Sequence, residues 1–142
     1  MTPKELLAEL LGLGTPSAVE LLERFRPRAG KITTAGPNLE TPAWARRVTS
    51  AEDTFLELGG DVPGLQLWED GRGWGAYVEF KVARGTLAEL EDVAGKTAPM
   101  PRAPGAFSSG DKVAVYVGKI RVFIELVKRG PDVDRVTVHF QR

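Results

Sequence analysis

Lys112-Val113-Ala114-Val115-Tyr116-Val117-Gly118-Lys119-Ile120-Arg121-Val122-Phe123-Ile124-Glu125-Leu126 is the stretch that decides the fold. Two alternating runs flank Gly118-Lys119, a dipeptide suited to a two-residue type II′ turn, and so predict a β-hairpin. Such a turn sets the register. Val117 then faces Ile120, Val115 faces Val122 and Val113 faces Ile124, and with Leu126 they make one aliphatic side that must be core. The other side sets Tyr116 against Arg121, Ala114 against Phe123 and Lys112 against Glu125, an aromatic–guanidinium contact and an ion pair that support the same pairing.

Working downstream, Arg129-Gly130-Pro131-Asp132 is turn chemistry, and residues 135–141 alternate again. Val136, Val138 and Phe140 point one way and Arg135, Thr137, His139 and Gln141 the other, which completes a three-stranded meander. Upstream, residues 96–110 hold Pro99, Pro101 and Pro104 and read as an irregular loop. Before it, Thr86 and Glu89 have capping-box spacing ahead of Leu87, Leu90 and Ala94, with Gly95 as the stop, so a short helix is expected there. Leu65 to Trp68 and the run from Trp74, with Ala76, Val78, Phe80 and Val82 on one side, flank a Gly-rich turn and form a second hairpin.

The amino-terminal part is helical. Thr2-Pro3 supplies a cap ahead of Leu6, Leu7, Leu10 and Leu11, and Gly12 breaks the run. Ser17 and Glu20 open a second helix whose apolar face is read as Val19, Leu22 and Phe25. Residues 26–49 show no period and read as a long loop. Residues 50–60 fit either a short helix opened by Ser50 and Asp53 or a strand over Thr54-Phe55-Leu56-Glu57-Leu58, and the helix is preferred. The expectation is one α+β domain over residues 1–142. It comprises a helical segment (1–26), a loop-rich connection (27–60) and an antiparallel sheet with one crossing helix (61–142). The sheet has five strands in the order ββαβββ, with the helices on one of its faces.

Composition narrows the function classes. With 42% hydrophobic and 27% charged residues the chain can bury a core and remain soluble, and no apolar run approaches the roughly 20 residues that cross a bilayer. The amino terminus has no basic segment followed by an apolar run, so no secretion signal is read and the expected location is cytoplasmic. Zero Cys and a single His remove thiolate sites and disulfides, so no cofactor or metal is expected. Glu52, Asp53 and Glu57 would share one helix face, yet one helix seldom supplies the converging oxygens a hard cation needs.

The 19 basic and 19 acidic residues cancel, but unevenly: residues 1–50 carry a net +2, 51–100 a net −6 and 101–142 a net +4. That balance argues against a nucleic-acid binder, whose affinity comes largely from neutralising phosphates. It suits a charged protein partner instead, with the acidic residues Glu57, Asp61, Glu69 and Asp70 meeting a basic target.

Candidate chemistry is sparse. Any Ser-His-Asp arrangement would have to combine His139 with Glu125 or Asp132 and with Ser108 or Ser109, and no motif marks one. Gly71-Arg72-Gly73-Trp74-Gly75 leads into a strand and is a turn rather than a dinucleotide fingerprint. The richest surface is the polar side of the sheet, where Tyr77, Glu79, Lys81, Tyr116, Arg121, Phe123, Glu125, Thr137 and His139 should gather. The leading expectation is a non-catalytic protein-binding module of immunity, adaptor or inhibitor type that uses this face. A small-ligand site or small enzyme with a pocket at a curved sheet is the alternative, and a homodimeric assembly subunit is the third reading.

Overall fold

The computed structural model describes residues 1–35, 53–69, 75–100, 111–117 and 122–141. Two helices, α1 (Pro3–Leu11) and α2 (Ala18–Phe25), lead through a 3₁₀ turn (Arg26–Arg28) into four strands: β1 (Lys31–Ala35), β2 (Asp53–Glu57), β3 (Gly64–Glu69) and β4 (Gly75–Lys81). Helix α3 (Leu87–Ala94) follows, then β5 (Ala98–Pro99), β6 (Asp111–Val117), β7 (Val122–Arg129) and β8 (Asp132–Gln141). All eight strands form one antiparallel sheet in the order β1-β2-β3-β4-β8-β7-β6-β5.

The α+β class and the antiparallel sheet agree with the sequence reading; the expected count of five strands does not. Three strands come from segments read otherwise. β1 holds the β-branched run Ile32-Thr33-Thr34 inside the expected long loop, and β5 is two residues within the proline-rich stretch. β2 replaces the helix preferred for residues 50–60. Its alternation places Thr54 and Leu56 opposite Leu67 and Leu65, and both are fully buried, so tertiary pairing overrides the local helix-start signal. In an extended strand, Asp53 and Glu57 are separated by about 13 Å of backbone, which removes the helix-face carboxylate cluster.

Each α-helix starts with a capping box: Thr2 with Glu5, Ser17 with Glu20 and Thr86 with Glu89 exchange side-chain and backbone hydrogen bonds. Leu6, Leu7 and Leu10 of α1 are buried as the spacing requires. The buried face of α2 is Ala18, Leu21 and Phe25, not Val19, which is exposed. The two readings differ by about one position around the helix, and a tertiary contact fixes the start of α2: the Glu69 carboxylate at the end of β3 accepts from the Ala18 N–H at 3.4 Å.

Arg24 of α2 and Arg28 of the 3₁₀ turn clasp Glu9 of α1, with Arg28 bidentate at 2.6 and 2.9 Å, so the two arginines tie the end of α2 to α1. Hydrogen bonding to Arg28 is the main cause that holds the Glu9 carboxyl below its ordinary range.

The core lies between these helices and one face of the sheet, where Leu56, Leu65, Leu67, Val78, Phe80, Ile124, Leu126, Val136, Val138 and Phe140 are buried. The β7–β8 link is a tight two-residue turn of Gly130 and Pro131, with Gly130 at φ 59 between the paired Arg129 and Asp132. Between β6 and β7 the last pair is Val117 with Val122, so four residues separate the strands there rather than two. The expected register is therefore corrected by two. Val115 faces Ile124, Val113 faces Leu126, Tyr116 faces Phe123, Ala114 faces Glu125 and Lys112 faces Val127. A shift of two preserves which side chains share a face, so the aliphatic side stays core. The observed register matches the ring of Tyr116 to that of Phe123, a cross-strand pair the tighter turn would have lost. The Gly118-Lys119 turn itself lies outside the described residues.

Candidate functional site

The face turned away from the helices is organised in rows, because residues directly opposite one another on successive strands project together. One row is aromatic across five adjacent strands. Trp68 on β3 is opposite Tyr77 on β4, Tyr77 opposite His139 on β8, His139 opposite Phe123 on β7, and Phe123 opposite Tyr116 on β6. The rings touch in sequence. Trp68 and Tyr77 stack at 5.6 Å between centroids, Tyr77 meets His139 edge-on at 4.5 Å, His139 and Phe123 lie 5.4 Å apart, and Phe123 and Tyr116 lie 4.7 Å apart. These separations are in the range of favourable aromatic pairs. The row runs from half-buried rings at its centre to Tyr116, which is 70% exposed.

The next row is polar: Gln66, Glu79, Thr137 and Glu125 occupy consecutive strands, ending at Ala114. Beyond it Arg135 stands between Lys81 and Val127, and Lys112 is opposite Val127. Arg135 lies 3.8 Å from Glu79, a loose ion pair. Eight of the nine residues expected on this face are therefore brought together on it. Arg121 lies outside the described residues, as does Asp70.

Of the acidic residues, Glu57 and Glu69 are not brought together. Glu57 and Glu69 stand at opposite ends of the β2–β3 hairpin, on opposite faces of the sheet, and Glu69 is engaged with the start of α2. Asp61 sits in the connection between β2 and β3, where its carbonyl accepts from the Ala83 N–H.

A hollow of about 190 Å³ opens beside the aromatic row, walled by Tyr77, Tyr116 and Phe123, with His139 and Glu125 at its side and Gly75 at its rim. Glu125 is the one formally charged side chain among the described residues that line it, with His139 counted neutral at pH 7. His139 Nε2 lies 3.3 Å from Glu125 Oε1. The nitrogen is fully shielded from solvent, and the approach is too oblique to satisfy it as a well-directed hydrogen bond. The imidazole contact is nonetheless the main influence on Glu125, holding its carboxyl below the ordinary range. Burial works against it, and the charges of His139, when protonated, and of Lys112 add to the lowering.

Sequence reasoning named the members of this face but missed Trp68 and the continuity of the ring row. The alternation of Leu65-Gln66-Leu67-Trp68 already placed Trp68 on the polar side. Its opposition to Tyr77 needed the register.

A larger hollow of about 390 Å³ lies where α1 and α3 begin, lined by Lys4, Arg84, Asp61, Glu89, Thr2 and Thr86 among others. Its two cations are matched by two carboxylates, and both helix starts already have capping boxes, so it shows no preference for a charged ligand. No described helix is long and apolar enough to cross a membrane. No protein-family model, curated protein or solved structure matches the chain.

Proposed function

We propose that the protein is a non-catalytic binding module, of immunity, adaptor or inhibitor type and cytoplasmic, which presents the open face of its sheet to another protein. The observation that carries the reading is the row of five rings across β3, β4, β8, β7 and β6. Rings fixed by cross-strand contacts offer large apolar area at little further entropy cost, which is why aromatic side chains dominate binding hot spots. A polar row of Glu79, Thr137 and Glu125 beside the rings supplies the hydrogen-bonding margin of such a patch. Two carboxylates in that row would repel a phosphate backbone and favour a protein over a nucleic acid. The hollow beside the row supports a second reading, a small-molecule site bounded by the same rings.

The test compares partner capture by the wild type, by a Tyr116→Ala/Phe123→Ala double variant, and by Val19→Ala on the exposed side of α2. The wild type and Val19→Ala should retain the same partner, while the double variant loses at least about 30-fold in affinity, as hot-spot truncation does. Equal retention by the double variant would overturn the reading, as would a wild type that binds no protein.

A further inference from the structure

We propose that the hollow beside the ring row is a receptor for a cation, and that it receives the guanidinium tip of an arginine presented by the protein partner. The inference rests on the protein-binding reading of the open face and names what that face selects.

Three features point the same way. The walls are aromatic: Tyr77, Tyr116 and Phe123 surround the space, and ring faces attract cations through their quadrupoles. Among the described residues the lining charge is negative and single: Glu125 is the one formally charged side chain, and none of these residues sets a positive group against a bound cation. Lys112, whose charge also acts on Glu125, is exposed on β6 and does not line the space.

The carboxylate is also positioned before a ligand arrives. Glu125 is paired in register with Ala114 on one side and Thr137 on the other, and His139 Nε2 lies 3.3 Å from one of its oxygens. A planar guanidinium can lie against a ring while donating to that carboxylate, which an ammonium does less well. The hollow, about 190 Å³, is sized for a side-chain tip rather than for a large cofactor.

The probes are N-acetyl-arginine methylamide and its neutral citrulline counterpart, titrated into the isotope-labelled full chain and followed by NMR. The arginine probe should give saturable shifts at Tyr116, Phe123 and His139, with citrulline weaker by about tenfold or more. Glu125→Gln should reduce arginine binding by a similar factor, and Phe123→Leu should reduce it while the rest of the spectrum certifies the fold. Equal binding of the two probes overturns the inference, as does indifference to Glu125→Gln or the absence of saturation up to roughly 100 mM, the weakest affinity one side chain would show. A partner that is lost on Tyr116→Ala/Phe123→Ala but bound fully by Glu125→Gln would overturn the cation receptor and leave the docking face standing. A partner indifferent to both changes would overturn the docking face itself.

Discussion

Phe140→Ala should lower the free energy of unfolding by about 3–5 kcal/mol, the usual cost of removing a buried ring and leaving a cavity. Phe140 is 1% exposed and lies on the central strand β8, one pair in from the end of its ladder with β4, opposite Ala76 on β4 and Val122 on β7. Its neighbours are one small residue and one β-branched residue on strands held by ladders on both sides, so the site has little freedom to collapse into the space. In thermal terms the loss is on the order of 10 °C for a chain of this size. Denaturant titration of the variant checks it, with Tyr116→Ala as the comparison. Tyr116 is 70% exposed and its truncation should cost no more than about 1 kcal/mol, the worth of its ring pair. A Phe140→Ala variant losing no more than Tyr116→Ala would contradict the placement of the core.

Gly75→Ala should be nearly as damaging despite adding a single methyl. Gly75 opens β4 at φ 130, and a Cβ built there would lie 1.8 Å from the Phe140 carbonyl oxygen. The methyl cannot be accommodated while Gly75 stays opposite Gln141, so the end of the β4–β8 ladder must open. Strained backbone costs roughly 1–3 kcal/mol, and a lost ladder bond adds about 1 more. Gly14 supplies the control. It also has positive φ, at 76, but a Cβ there would meet nothing within 4 Å. Gly14→Ala should therefore show the strain cost alone. Urea unfolding of both variants decides the matter: equal losses would mean that the close approach at Gly75 does not exist. Because Gly75 also forms the rim of the hollow, its substitution should disturb the site and the fold together.

Much of this was legible from residue order. The helix starts were readable because Ser17 with Glu20 and Thr86 with Glu89 satisfy orphan amides at a fixed spacing, a signal that needs no tertiary context. Which residues share the open face was readable too, since alternation alone decides it and a register error of two leaves it unchanged. The pairing across that face was not. Gly118-Lys119 fits a two-residue turn locally, whereas the register is chosen by partners on β6 and β7: Tyr116 with Phe123, and Val113 with Leu126. The first two strands of the sheet were obscure for a related reason. Ile32-Thr33-Thr34 and Thr54-Phe55-Leu56 are short, and their strand character comes from neighbours supplied by another segment, such as Leu65 and Leu67. The acidic residues illustrate the converse. Closeness in sequence suggested one patch, but the hairpin sends Glu57 and Glu69 to opposite ends and faces.

Five rings form one uninterrupted row on the face turned away from the helices. Nuclear Overhauser contacts among selectively labelled aromatic side chains measure this directly. Four ring-to-ring contacts are predicted: Trp68 with Tyr77, Tyr77 with His139, His139 with Phe123, and Phe123 with Tyr116. A spectrum in which Phe123 contacts Ala114 across the strands and lacks Tyr116 would restore the two-residue-turn register, break the row at β7, and contradict the account.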